Sequence, residues 1–454
     1  MAGLTLIEGG HIVAVDAADT EIPHGWIAIR EGRIVALGEG AAPPEMRDAA
    51  IQTIDAAGAL VTPGLINTHH HLYQWLTRGW AQDSILFDWL VALYPTWSRI
   101  DADSAGDAAA GAMAVLARSG CTTVGDHHYI FPRGSGDIVG AIVHEASELG
   151  LRLHATRGSM DLGESDGGLP PDFAVESTSA ALAASAEAVT RYHDASFESM
   201  VRVAIAPCSP FTVTADLLRE SATLARDLGV RLHTHGAETV EEEAFCRERF
   251  GMSPTDYLDS VGWLGSDVWM AHCVHLSPED VARFARTGTG VAHCPSSNAR
   301  LAAGIAPVRA MVSAGVPVGL GVDGAASNEH GRLGSEIRQA ALLSRLRDGA
   351  TAMPVRDALR LATMGGARVL GREREIGSLE PGKLADVVLW ELGEVEHAGI
   401  ADPVAALGLG SLPRVRTMLV QGREVVSGGR LTTADEDEIS RRVVAAAARL
   451  AGRG

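Results

Sequence analysis

Between about residue 60 and residue 365, short apolar runs alternate with Ala-rich stretches, and no other feature restricts the fold of these 454 residues as strongly. An apolar run bounded by turn residues reads as a buried strand, and strands alternating with helical patterns read as parallel βα units. Eight such runs can be counted: Leu60 to Asn67, Thr122 to Gly125, Leu151 to Ala155, Val201 to Ala206, Arg231 to Thr234, Val268 to Ala271, Gly288 to Ala292 and Val316 to Gly321. Eight parallel strands with intervening helices predict an α/β fold, a (β/α)8 TIM barrel. Residues that do chemistry on such a barrel sit at the C-terminal ends of its strands.

The two ends of the chain have a different texture. Thr5–Ile7, His11–Val15, Gly25–Ile29 and Arg33–Leu37 read as short strands, with Glu31-Gly32 as a tight turn, and the pattern returns in Ala385–Trp390 and Val415–Val426. Chain ends tend to lie close together, so these strands are expected to pair into one small β-sandwich. The expected division is residues 1–62 as its first part, 63–365 as the barrel, and 366–454 as its second part with a C-terminal helix from Asp435 to Leu450.

Composition narrows what such a barrel can do. The net charge is −19, from 38 basic and 57 acidic residues, and no basic stripe is present. Nucleic-acid binding needs such a stripe to displace counterions, so a nucleic-acid partner is not expected. Five scattered cysteines without a CxxC pair fit free thiols in a reducing compartment. The start of the chain has no basic-then-apolar leader and no window approaches a membrane span, so the expectation is a cytoplasmic protein without a membrane partner. Lys383 is the single lysine and sits in a turn. It is not expected to be catalytic, which leaves no lysine for Schiff-base or metal-bridging chemistry.

The strand ends carry the chemistry. The first run closes on Pro63-Gly64-Leu65-Ile66-Asn67-Thr68-His69-His70-His71. Alternate side chains share a face, so His69 and His71 point together and His70 points away. The fifth run ends His233-Thr234-His235-Gly236-Ala237-Glu238, the sixth His272-Cys273-Val274-His275, the seventh His293-Cys294, and the eighth Asp323. Catalytic zinc takes about three protein ligands plus water, and His69, His71, His235 and Asp323 satisfy one mononuclear divalent site, for Zn2+ or Fe2+.

These motifs resemble the amidohydrolase superfamily, in its mononuclear aminohydrolase and deaminase branch, which includes guanine deaminases and triazine hydrolases. The resemblance rests on Pro63–Asn67 leading into His69 and His71, His235 with Glu238 three residues on, His272, and Asp323 within Gly-Val-Asp-Gly. It spans nearly the whole chain. It implies that His69, His71, His235 and Asp323 hold the metal, that Glu238, His272 and Asp323 are catalytic, and that His272 also touches the substrate. No lysine follows the fourth run and no glutamate the third, so one metal is expected rather than two. The cytidine-deaminase signature, H-x-E followed by P-C-x-x-C, is absent.

The implied activity is hydrolysis of a C–N bond in an amino-substituted heterocycle. A divalent metal lowers the pKa of bound water toward neutrality, Asp323 accepts its proton, and Glu238 protonates the ring nitrogen next to the carbon attacked. Gln74 stands where guanine deaminases present an amide to the purine edge, and an amide can both donate to and accept from a lactam. Asp126–Pro132 and the Gly- and Pro-rich stretch Arg157–Asp172 look like loops of 8-oxoguanine deaminases, the second fitting a lid. The leading expectation is therefore conversion of 8-oxoguanine to uric acid and ammonia. The alternatives are hydroxyatrazine-type N-alkylamine release, isoxanthopterin or guanine deamination, and, remotely, a non-catalytic scaffold. The resemblance also implies a homo-oligomer, a dimer or larger.

Overall fold

The computed structural model describes residues 3–452. The eight strands expected from the alternation all form, and they follow one another in a parallel sheet: β1 (Leu65–Asn67), β2 (Cys121–Gly125), β3 (Arg152–Ser159), β4 (Val201–Pro207), β5 (Leu232–Gly236), β6 (Val268–His272), β7 (Gly290–His293) and β8 (Val318–Leu320). Every residue of β1–β3 and β5–β8 is buried, because barrel side chains fill one face and helices cover the other. The helices stop where their caps dictate. Ala102–Arg118 opens on a reciprocal capping box between Asp101 and Ser104, and Ala215–Leu228 ends at Gly229 in the left-handed conformation (φ +69°).

Closure between β8 and β1 uses the loops beyond the strands. Thr68 donates its backbone N–H and its hydroxyl to the Leu320 carbonyl, both at 2.9 Å. The Val322 N–H donates to Asn67 Oδ1 at 3.0 Å, and the Asp323 N–H to the His69 carbonyl at 3.1 Å. The Asn67-Thr68 step thus sews the barrel shut and sets His69 beside Asp323.

The first apolar run differs from the expectation of a single barrel strand. Ala59–Pro63 pairs antiparallel with Val387–Glu391, while Leu65–Asn67 pairs with β2. Gly64 is the crossing point. A Cβ there would lie 2.2 Å from Thr122 Oγ1, so only glycine lets the chain pass from one sheet to the other.

The remaining strands form the small β-sandwich, a nine-stranded mixed sheet built from both ends of the chain. Leu4–Val13 runs as one strand with irregularities around Gly10, not two. It pairs with Glu21–Arg30 on one edge, and with Ala50–Asp55 and then Ala59–Pro63 on the other. Glu31 and Gly32, both at positive φ, make the tight turn between Glu21–Arg30 and Arg33–Glu39. Arg152, at the start of β3, forms a buried ion pair with Asp386 of the sandwich. The helix Glu436–Leu450 packs on the barrel helix Ala102–Arg118, where Arg442 reaches Asp107 at 2.8 Å and also pairs with Glu145. Among the described residues no helix is long and apolar enough to cross a membrane.

Candidate active site

At the C-terminal mouth of the barrel, His69, His71 and His235 bring their ligand atoms within a few ångströms of one another and of His127, and His69 also meets His272 and Asp323. His71 Nε2 and His235 Nε2 are 3.1 Å apart. Asp323 Oδ1 lies 3.2 Å from His69 Nε2 and 3.3 Å from His71 Nε2. The backbone at Ala237, His272, Cys273 and Asp323 has positive φ (51°, 71°, 50° and 64°). Left-handed backbone in residues other than glycine is costly and concentrates at functional sites; here it turns the strand ends inward.

The hydrogen bonds behind the rings fix which nitrogen faces the centre. His71 Nδ1 donates to the His127 carbonyl at 2.6 Å, and His235 Nδ1 to the Cys208 carbonyl at 2.6 Å. A carbonyl only accepts, so both protons sit on Nδ1 and both Nε2 lone pairs point at each other. His69 is set by a relay: His233 Nδ1 donates to the Trp269 carbonyl at 2.9 Å, so His233 Nε2 accepts from His69 Nδ1 at 2.8 Å. This leaves His69 Nε2 deprotonated, buried and without a hydrogen-bond partner. Burial holds His69 and His233 well below the usual imidazole range and, with the neighbouring imidazoles, takes His235 down to about 3. Three imidazoles and one carboxylate turned toward one centre fit a divalent cation, which would hold them together there.

The carboxylate is held from the other side. Asp323 Oδ2 accepts from Ser297 Oγ at 2.5 Å and Ser327 Oγ at 3.2 Å, and Oδ1 from the Gly324 N–H at 2.7 Å. His272 Nδ1 is bonded to Asn298 Oδ1 at 2.9 Å, which directs Nε2 between Glu238 Oε2 (3.6 Å) and Asp323 Oδ2 (3.9 Å). Glu238 is buried and pairs with no arginine or lysine among the described residues. Burial, together with the Asp323 charge, pushes its carboxyl well above the usual range, which favours the protonated form.

Glu238, His272, Asp323, His71, His235 and Gln74 line one pocket, closed by Leu86, Trp89, Leu90, Tyr129, Phe211 and Leu301. Gln74 is fully buried, and neither its amide oxygen nor its amide nitrogen has a protein partner. Its side chain occupies the space a Cβ at Gly324 would need, 1.7 Å from Oε1.

His275 and His70 do not belong to this cluster. His275 Nε2 bonds the Ala303 carbonyl at 2.9 Å, and His70 is buried with neither ring nitrogen bonded. The sequence reading did not anticipate the relay through His233, whose signal is its two-residue spacing from His235 on the same face of β5. It also missed His127, which stacks on the His235 ring with centroids 4.8 Å apart. No residue of the stretch Arg157–Asp172 lines the pocket. Asp161 anchors the stretch through Thr214 and Thr178, and Leu169 donates to the carbonyl of Phe211, which does line it. The helix Leu86–Trp97 contributes Leu86, Trp89 and Leu90 to the lining.

Residues 60–427 match the model of the amidohydrolase family. The chain is 46% identical over 432 residues to 8-oxoguanine deaminase of Pseudomonas aeruginosa, covering 94% of this chain and 95% of the relative. It is 37% identical over 454 residues to hydroxydechloroatrazine ethylaminohydrolase of Pseudomonas sp. (strain ADP), covering 96% and 94%. Among solved structures, atrazine chlorohydrolase of Arthrobacter aurescens TC1 complexed with zinc superposes with a TM-score of 0.91 at 31% identity, over 98% of this chain and all of that one.

Proposed function

The chain belongs to the amidohydrolase family, and from that premise we propose that it deaminates 8-oxoguanine to uric acid and ammonia. It is a hydrolase acting on C–N bonds. The observation that carries the substrate reading is the pocket itself, where the unpartnered Gln74 amide, matched to a lactam, shares one cavity with the buried Glu238 carboxyl, its pKa raised, and the histidine cluster. The 46% identity to an 8-oxoguanine deaminase supports the same ring.

His69, His71, His235 and Asp323 would hold one divalent metal, which we propose to be zinc; when bound it supplies a Lewis acid that makes hydroxide available near neutral pH. The zinc complex of the structural neighbour supports this choice. The chain's own groups do the rest. Gln74 orients the ring by donating to its carbonyl and accepting from the adjacent ring N–H. Glu238 gives its proton to the ring nitrogen on the other side of the amine-bearing carbon, which makes that carbon electrophilic. Asp323 takes a proton from the attacking water. His272, its Nδ1 bonded to Asn298, must carry a second proton on Nε2 to donate to the oxygen that becomes bonded to the carbon, and in that form it stabilises that oxygen electrostatically. The Asp323 proton then passes to the amine, which leaves as ammonia. The new hydroxyl returns its proton to Glu238, so both carboxyls end as they began.

We assign these roles within a catalytic unit of residues 63–365, in a protein that assembles as a dimer. The test is release of ammonia by the zinc-loaded protein from 8-oxoguanine, guanine, isoxanthopterin, cytosine and hydroxyatrazine, with alkylamine measured in parallel. Turnover of 8-oxoguanine well above the others is expected. Alkylamine from hydroxyatrazine, with no ammonia from 8-oxoguanine, would replace this reading with the N-alkylaminohydrolase that the second relative represents.

A further inference from the structure

Gln74 is not the pocket's sole unpartnered group. Of the lining residues, Gln74 and Trp89 alone carry buried side-chain polar atoms without a partner among the described residues. Trp89 lies on the helix Leu86–Trp97, whose Leu86, Trp89 and Leu90 share the inward face by their three- and four-residue spacing and all line the pocket. The Trp89 ring is locked against Trp97, edge to face with centroids 5.1 Å apart, and is 3% exposed. Its indole N–H can only donate. A buried donor without a partner, on a side chain that lines the cavity, calls for an acceptor on whatever occupies that cavity.

We propose that the Trp89 indole N–H is a substrate contact that selects heterocycles bearing a carbonyl at the end remote from the amine. This rests on the deaminase reading above. Gln74 and Glu238 engage the two ring nitrogens flanking the amine-bearing carbon, so the rest of a bicyclic ring extends away from the metal toward the helix face. In 8-oxoguanine that far end carries the C8 carbonyl, an acceptor for Trp89. In guanine it carries a C–H, which would leave the indole donor unsatisfied. Two polar side chains, one at each end of the ring, then read length and polarity together. The apolar Leu86, Leu90, Phe211 and Leu301 supply surface without further choice.

The experiment compares wild type with Trp89→Phe, which keeps a ring in the Trp97 contact and removes the donor. Uric acid and xanthine, which differ by the C8 carbonyl, are measured as inhibitors of ammonia release from 8-oxoguanine, and their binding to the zinc-loaded proteins is measured by calorimetry. The wild type is expected to prefer uric acid. In Trp89→Phe that preference should fall about tenfold, the size of one neutral hydrogen bond, with KM for 8-oxoguanine rising and kcat nearly kept. An equal loss for both inhibitors, or no loss for either, overturns the Trp89 contact and leaves the deaminase reading intact. A wild type that neither binds nor turns over any of these purines overturns both. Because calorimetry reads binding without turnover, a variant slowed by altered packing still gives its uric acid to xanthine ratio.

Discussion

At the scale of single residues the site divides into groups that hold charge and groups that withhold it. Glu238 is suited to give up a proton because burial and the Asp323 charge raise its pKa well above the usual carboxyl range. Glu238→Gln is therefore expected to retain the metal and lose turnover by about 10²–10⁴, the range of one general acid. Wild-type kcat should fall as pH rises through the raised Glu238 pKa, because the carboxyl must be protonated to donate. Metal content and the pH profile check both, and turnover within about threefold of wild type would remove Glu238 from the acid role. His233 never touches the centre, yet it alone fixes the His69 tautomer. Its replacement by alanine should weaken affinity for the divalent metal by about 10–100-fold, as for other groups that orient a ligand. A chelator competition that gives unchanged affinity would show that His69 needs no such relay.

At the scale of elements, the turn after β5 depends on the helix that follows it. Glu242, on the helix Val240–Phe250, is fully buried and accepts the backbone N–H of Glu238 at 2.7 Å and of Ala237 at 3.2 Å. Burial raises its pKa from 4.5 to about 7. A folded-state pKa above the unfolded one means that the native chain binds the extra proton, so stability is full below about pH 4.5 and declines as pH rises toward 7. The shift corresponds to about 3 kcal/mol. Glu242→Gln, which cannot ionise, should gain about that much relative to wild type between pH 5 and pH 8 in denaturant unfolding. A wild-type-to-variant difference that is flat with pH would show that Glu242 titrates normally. Such dependence explains what the sequence disclosed and what it did not. The barrel strands were legible because each is an apolar run ending in turn residues, and His69, His71, His235 and Asp323 because they follow those ends directly. Ala50–Asp55 was missed because it is a largely exposed edge strand with little apolar signal. The roles of Glu242 and Trp89 depend on which atoms meet across the fold, which no local spacing reports; the spacing of His233 from His235 puts the two on one face but does not disclose its bond to His69.

At the scale of the whole molecule, the question is how a sandwich assembled from both chain ends is tied to the barrel that carries the site. The break at Gly64 means that one continuous run contributes to both sheets, so neither can shift without moving the strand that leads to His69. The Arg152–Asp386 ion pair reinforces this link from the N-terminal end of β3, with both side chains buried. Asp386 Oδ1 also accepts the Gln421 N–H at 2.8 Å, which brings a third segment into the junction. A buried pair contributes little beyond a well-packed apolar one, but breaking it strands a charge at a cost of about 3–5 kcal/mol. Arg152→Met should thus destabilise the protein by that amount in denaturant unfolding. Adding Asp386→Asn, which keeps an acceptor for Gln421 and removes the charge, should recover most of it. If the single and double variants are equally unstable, the loss comes from arginine packing rather than from the stranded carboxylate. If the sandwich is coupled to the site as the Gly64 crossing implies, Arg152→Met will also release zinc at a lower denaturant concentration than wild type, although the residue lies at the opposite end of the barrel from the metal cluster.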